Sequence, residues 1–308
     1  MRLCVFFCQK GRISTVRKSY YVLIVFLAGC CYGILSTFVK LAYGAGFQLA
    51  DVAGSQCLTG TLLLWLAWLF TKKTAVSGKN VVKLLLCGVP FAMTSIFYYH
   101  SLQTLNASLA VVLLFQFVWL GTLFDSIYYK RMPSRQKAVS IGILLVGSVL
   151  AAGVTADGDF TPSIGMLWGF LSAITYTLSM LGAGAVANEV QPVLKSALIA
   201  TGSSCVIFMV MPPVFLLNTE ILPHLLPYGL LLGFFGVTLP PFLFAVGMPH
   251  VGPGLGTILT SSELPVAVLM SLFVLGESVT GSQLLGIALI IGGIAIGNIP
   301  GKLTGVGQ

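Results

Sequence analysis

The sequence is short of charge. Only 8% of its 308 residues are Asp, Glu, Lys or Arg, where an ordinary soluble domain carries about 25%, and this argues against a water-soluble fold. The marks of soluble chemistry are missing as well. There is no Walker loop, no HExxH and no GxSxG, so ATP-driven transport and hydrolysis lack support and the chain is expected not to be an enzyme. Gly252-Pro-Gly254-Leu-Gly256 echoes a nucleotide loop, but no strand precedes it. The seven cysteines form no CxxC pair, and Cys30, Cys31, Cys57, Cys87 and Cys205 sit in apolar stretches. They read as small packing residues, with no metal and no cofactor expected. Cys4 and Cys8 lie in the tail, where acylation is the alternative. Base outnumbers acid, 16 to 8, for a net charge of +8. No basic face interleaved with aromatics accompanies it, so no nucleic-acid partner is expected.

What the sequence does have is rhythm. Apolar stretches of the length that crosses a hydrocarbon core of ~30 Å recur from Tyr20 to Asn298. Ten helices are expected, at roughly 20–43, 51–71, 81–103, 107–129, 135–154, 163–186, 193–217, 226–247, 253–275 and 279–298. The fold class is therefore an all-α integral membrane protein in contact with lipid. Lys and Arg gather in alternate gaps: five in the tail, then Lys72, Lys73, Lys79 and Lys83, then Lys130, Arg131, Arg135 and Lys137, then Lys195 and Lys302. Lys40 alone falls on the other side. This bias places both termini in the cytoplasm, with a basic tail at 1–19 and a C-terminal tail at 301–308. A short chain with such a tail and no lumenal domain fits a bacterial inner membrane.

The halves, 20–154 and 155–300, overlie one another. A shift of 136 sets Gly29, Gly33, Leu35, Ser36 and Gly46 on Gly165, Gly169, Leu171, Ser172 and Gly182. A shift of 146 sets Leu109, Leu113, Leu123, Ile141 and Gly147 on Leu255, Leu259, Leu269, Ile287 and Gly293. Asp157 and Asp159 mark the gap between halves. Five helices per half force opposite orientations, hence two inverted five-helix repeats, and Arg131 over Glu277 is the charge swap that inversion produces. Inverted repeats commonly build secondary transporters with a site near the midplane.

Glu263-Leu-Pro265-Val-Ala-Val-Leu, Leu275-Gly276-Glu277 and Gly286 through Gly293 resemble the signature closing an EamA-type half in the drug/metabolite transporter superfamily. Leu105-Asn-Ala-Ser-Leu-Ala-Val-Val-Leu is similar to that family's fourth helix. The resemblance covers about residues 20–300. It implies ten helices, a central cavity lined by the first, third, fourth, sixth, eighth and ninth of them, and carriage of small metabolites, often amino acids, usually outward. Trp119 stands where the family often has proline, and Lys130-Arg131 replaces the usual Gly-Glu.

Several residues are candidates for chemistry. Glu263 lies near mid-span, where a charge is costly, two residues before Pro265, which frees a backbone carbonyl. It either accepts a cationic group or a coupling proton, or supports the break in its helix. Thr260 shares a face with Glu263 on a continuous helix. Gln116 and Trp119 share a face of the fourth span; Gln116 needs a polar partner, and Trp119 is placed to stack on a ring or a cation. Tyr32 and Tyr176 are deep enough to line a cavity. Tyr99 and His100, beside Tyr98, approach the outer end of the third span, where His100 either relays a proton or packs. Lys40 is placed to pair with Asp51, and Asp125 with Lys130. Gly29-x-x-x-Gly33 and Gly165-x-x-x-Gly169 allow close helix approach.

The expected function is secondary active transport of a small polar metabolite, an amino acid or related amine, outward by alternating access. The rivals are a carrier of an anionic metabolite such as a nucleotide-sugar, which calls for basic residues at depth, and a non-transporting membrane assembly protein. Oligomeric state is left open.

Overall fold

The computed structural model describes residues 2–73, 76–102, 104, 107–130, 132–151, 164–218, 220–276 and 280–298. Asp157, Asp159, Arg131, Glu277, the C-terminal tail and the side chain of Tyr99 lie outside the described residues, as do the side chains of the N-terminal tail. Among the described residues the chain is helical, without strands.

The order is α1 (Arg2–Gly44), α2 (Leu49–Leu69), α3 (Gly78–Leu102), α4 (Ala107–Leu114), α5 (Phe117–Tyr129), α6 (Arg135–Ala151), α7 (Ile164–Ala185) and α8 (Pro192–Val210). Then come α9 (Leu222–Leu232), a π-helical segment (Gly233–Thr238), α10 (Leu239–Val251), α11 (Pro253–Thr260), α12 (Glu263–Leu275) and α13 (Gly281–Asn298). Eight stretches are long and apolar enough to cross a membrane, and Val112–Ile127 is a shorter apolar helix. Large apolar side chains face outward along these rods, among them Leu62, Leu66, Leu86, Val146, Leu285 and Ile291. A helix closes its own backbone hydrogen bonds, so this exterior can face hydrocarbon without penalty.

Four sequence expectations change in detail. The first helix is continuous from Arg2, so the expected tail is helical along its backbone. The seventh helix ends at Val210 rather than 217, because Pro212-Pro213 carries no N–H to continue it. The fourth and ninth spans are each two helices meeting at a break: α4 with α5, and α11 with α12.

These breaks make the repeat visible in the backbone. At the first, Gln116 N–H donates to Leu113 O, Val118 N–H to Phe115 O, and Leu120 N–H to Gln116 O. At the second, Ser262 N–H donates to Leu259 O, Leu264 N–H to Ser261 O, and Val266 N–H to Ser262 O. Each bond of the second set is the first displaced by 146 residues. The two helices therefore tighten to three-residue turns at equivalent points, although only the second has a proline there. In the first, the Gln116 side chain holds the break open: its Nε2 donates to Val112 O at 3.0 Å, taking the place of its own backbone N–H.

Packing joins one half to the other. α1 lies on α10, α11 and α12; α7 lies on α3, α4 and α5. These are the same interfaces with the halves exchanged. α2 against α8 and α6 against α13 are their own counterparts. The last shows it at side-chain level: a Cβ on Gly147 would meet Ile290, and one on Gly293 would meet Leu144, pairs related by the same 146 residues. The main buried core, including Val25, Phe117, Tyr176, Phe244, Ile258 and Ile290, runs between the repeats.

The register also explains a local strain. Lys130 follows α5 with φ 49°, and its counterpart Gly276 follows α12 with φ 67°. The turn needs a left-handed residue, which glycine supplies without cost and lysine does not. Lys130→Gly is expected to stabilise the protein by about 1 kcal/mol, read as a raised midpoint of thermal unfolding in detergent with the transport rate unchanged.

Candidate functional site

The site is built where the second break meets α1 and α7. Ser261 and Ser262 interrupt the rod, and Glu263 begins α12 with its carboxylate half-buried inside the core. Tyr176 of α7, itself buried, donates its hydroxyl to Glu263 Oε2 at 3.4 Å. Tyr32 of α1 sets its ring edge-on to Tyr176, with centroids 6.0 Å apart, and packs against Phe244 of α10 at 6.0 Å. Phe117, the first residue of α5, closes the other side of Tyr176 at 4.8 Å and 84°. Tyr98 of α3, half-buried, lies like Tyr32 within electrostatic reach of Glu263. One carboxylate thus stands on the Tyr176 hydroxyl, with Tyr32, Phe117 and Phe244 packed in the same ring cluster.

Glycine makes this approach possible. A side chain at Gly29 would overlap Ser262 and Thr260, and one at Gly33 would overlap the Glu263 carbonyl and Val266. α1 therefore lies directly on the break, and Ser262 Oγ donates to Phe26 O of α1 at 2.8 Å. In the other half Gly169 of α7 lies on Leu113, just before the first break. Gly29 and Gly33 of the first pattern, and Gly169 of the second, thus lie on inter-repeat contacts beside the two breaks.

The candidates part ways here. Glu263, Tyr32 and Tyr176 come together. Thr260 is fully buried and donates to Gly256 O at 2.8 Å, so its hydroxyl is committed to its own helix. Gln116 and Trp119 bond to each other, Nε1 to Oε1 at 2.8 Å, and so brace the first break. The rings of His100 and Trp168 are 5.7 Å apart; His100 sits two residues from Tyr98, on another face of α3. Asp125 pairs with Lys137 at 3.3 Å rather than with Lys130, because the turn after α5 brings the start of α6 back beside it. Asp51 accepts the Gln48 N–H at 3.1 Å and caps α2.

Sequence reasoning passed over Phe117 and Phe244, and named Tyr98 only beside Tyr99, whose side chain lies outside the described residues. Phe117 carried a usable signal: it is the residue 146 before Glu263, so the mid-span acid of the second repeat has an aromatic counterpart in the first, and that ring packs on Tyr176.

A helical bundle of two interlocked halves, with paired broken rods and a charged group at the break, defines an integral membrane protein of the inverted-repeat class. The model of the EamA-like transporter family matches the chain twice, over residues 19–153 and 163–299. The chain belongs to that family, a family of membrane transporters in the drug/metabolite transporter superfamily. Its fold is similar to that of a solved structure titled "Crystal structure of protein", with a TM-score of 0.73 at 15% identity, covering 91% of this chain and 98% of the other. A search of curated proteins found no match.

Proposed function

We propose that the protein is a secondary active carrier for a small metabolite bearing an ammonium group on an apolar body, an amino acid or related amine. The observation that carries this reading is the single carboxylate of Glu263 held among Tyr32, Tyr98, Tyr176, Phe117 and Phe244. A cation gains from the carboxylate and from the ring faces together. The paired breaks supply the means of alternating access, since one repeat can rock on the other about glycine contacts while the site stays at the midplane. Outward carriage, a bacterial inner membrane and cytoplasmic termini follow from the family resemblance and from the one-sided lysines and arginines.

The test is counterflow in proteoliposomes with labelled amino acids, amines and anionic metabolites. Saturable exchange of an amino acid or amine is the expected result. Exchange confined to anions would overturn the reading of the substrate, and a folded preparation that exchanges none of them would overturn carriage of this class.

A further inference from the structure

We propose that Asp125 is the latch of an inner gate. With Lys137 it holds α5 of the first repeat shut on α11 of the second, and its release lets the site around Glu263 open toward that end. This rests on reading the protein as an alternating-access carrier, and it comes from comparing the two ends of the paired broken rods.

The four half-rods divide by depth. α5 and α11 run from the breaks to the end where Lys130, Arg135 and Lys137 gather, the inner side by the bias of basic residues. α4 and α12 run from the breaks to the outer end. A carrier with a midplane site separates its repeats at one end at a time, so what ties each pair of half-rods decides which end opens.

At the inner end the tie is close and polar. α5 packs on α11. A Cβ on Gly121 would overlap the Thr257 side chain, and Thr257 Oγ1 donates to Val118 O at 3.3 Å. One turn further along α5, the Asp125 carboxylate lies on the first turn of α11: a Cβ on Gly254 would come within 2.5 Å of Asp125 Oδ2. The first N–H groups of a helix have no partner within it and carry its positive end, so an acid is attracted to this turn. Lys137, at the start of α6, holds the same oxygen at 3.3 Å. The two side chains keep 29% and 20% of their surface exposed, and partial burial spares the pair some of the screening by salt. Packing seals the same end. Met248 of α10 lies between α7 and α11, where a Cβ on Gly256 would overlap its sulfur and one on Gly184 would meet its Cβ at 3.3 Å. Tyr21 of α1 stacks on His250 of α10, with centroids 3.7 Å apart and planes 4° from parallel.

The outer end is written differently. Displaced by 146 residues, Gly121, Asp125, Gly254 and Thr257 become Ala267, Ser271, Ser108 and Val111. No carboxylate and no glycine stands at these four places. Two ends that an inverted repeat would make alike thus differ by one acid and two close-packing glycines. The inner contact is the one that parts against an electrostatic attraction, so the latch biases the protein toward the state closed at the inner end and reached from the outer one.

The experiment reads the two ends by thiol labelling of the full-length protein in detergent. Val118→Cys, fully buried in α5, reports on the inner gate, and Ile258→Cys, fully buried in α11, is its second reporter. Ala267→Cys, one turn outward from Glu263 and partly exposed, reports on the outer end. Native cysteines stay in place, and peptide mass spectrometry resolves the rate at each position with a sulfonated maleimide; every variant is checked for an unchanged unfolding profile. With Asp125 present, position 267 is expected to label and positions 118 and 258 to be protected. Adding Asp125→Asn should speed labelling at 118 and 258 by roughly fivefold to thirtyfold and slow it at 267, while Asp125→Glu, which keeps the charge, should keep most of the protection. Fast labelling at 118 and 258, or protection at 267, with Asp125 in place overturns the closed inner gate. Unchanged rates in Asp125→Asn overturn the latch, and so does a rise at all three positions, which assigns Asp125 to general stability instead. No substrate enters this test, so a failure of counterflow to find an amino acid or amine is separate from a failure of the latch.

Discussion

Glu263→Gln is expected to abolish saturable exchange while the protein still folds. The substitution keeps the shape of the side chain and its bond to the Tyr176 hydroxyl, a bond an amide oxygen accepts as readily as a carboxylate oxygen. What it removes is the charge. Losing one partner of a desolvated charged contact costs about 2–5 kcal/mol, which is roughly 30-fold or more in affinity. The pH dependence follows from the same group. A proton and a cation compete for one carboxylate, so the half-saturating substrate concentration of the parent should rise as pH is lowered. The groups facing Glu263 are phenols, Tyr32, Tyr98 and Tyr176, and free phenols titrate near pH 10. The part of a pH profile between about 5 and 8 that Glu263→Gln flattens is therefore assigned to the acid, and a profile that survives the substitution is assigned to another group such as His100. The check is initial-rate counterflow over that pH range with both proteins side by side. A variant that matched the parent at every pH would remove Glu263 from both substrate binding and proton exchange.

The fold was legible because the bilayer fixes one length. A run of apolar residues long enough to cross hydrocarbon has few alternatives, and alternation of charge then orders the runs. The site was less legible, and each difference has a local cause. The helix wheel that placed Thr260 beside Glu263 assumed an unbroken helix. The three-residue turns at Ser261 and Ser262 reset the wheel, so Thr260 faces its own helix and Glu263 faces α1 and α7. Pro265 announced the second break; nothing of that kind announced the first, where Gln116 replaces a backbone donor with its side chain. Lys195 reads from the sequence as a terminal residue beside the gap after the sixth span. It lies buried in α8 and holds the last turn of α7 through the Ala183 carbonyl.

Gly202→Val is expected to be the most damaging substitution outside the site. Gly202 of α8 lies on α3 so closely that an added Cβ would overlap the Leu85 carbonyl oxygen, with Leu85 Cα at 3.0 Å. Gly88 of α3 answers it, since its Cβ would overlap the Ile199 carbonyl and meet Ser203 N at 2.5 Å. Exchanging the halves turns this contact into that of α2 with the π-helical segment. There a Cβ on Gly60 would meet Gly233 O at 2.7 Å, and one on Gly233 would meet Gly60 N at 2.6 Å. At these positions the neighbour is backbone, which cannot swing aside as a flexible side chain does. Overpacking costs typically about 1–3 kcal/mol when side chains can repack, so a clash with the Leu85 backbone should fall at or above about 3 kcal/mol. Gly142→Ala is the matched control, because an added Cβ there meets nothing within 4 Å. Replacing an exposed helical glycine should stabilise by about 0.5–1 kcal/mol. Thermal unfolding followed by tryptophan fluorescence, together with monodispersity on gel filtration, compares the two. If the repeats rock on backbone contacts, Gly88→Ala and Gly60→Ala, milder than valine, should slow exchange more than they weaken substrate binding. Equal losses in rate and affinity would instead assign these contacts to holding the site in shape.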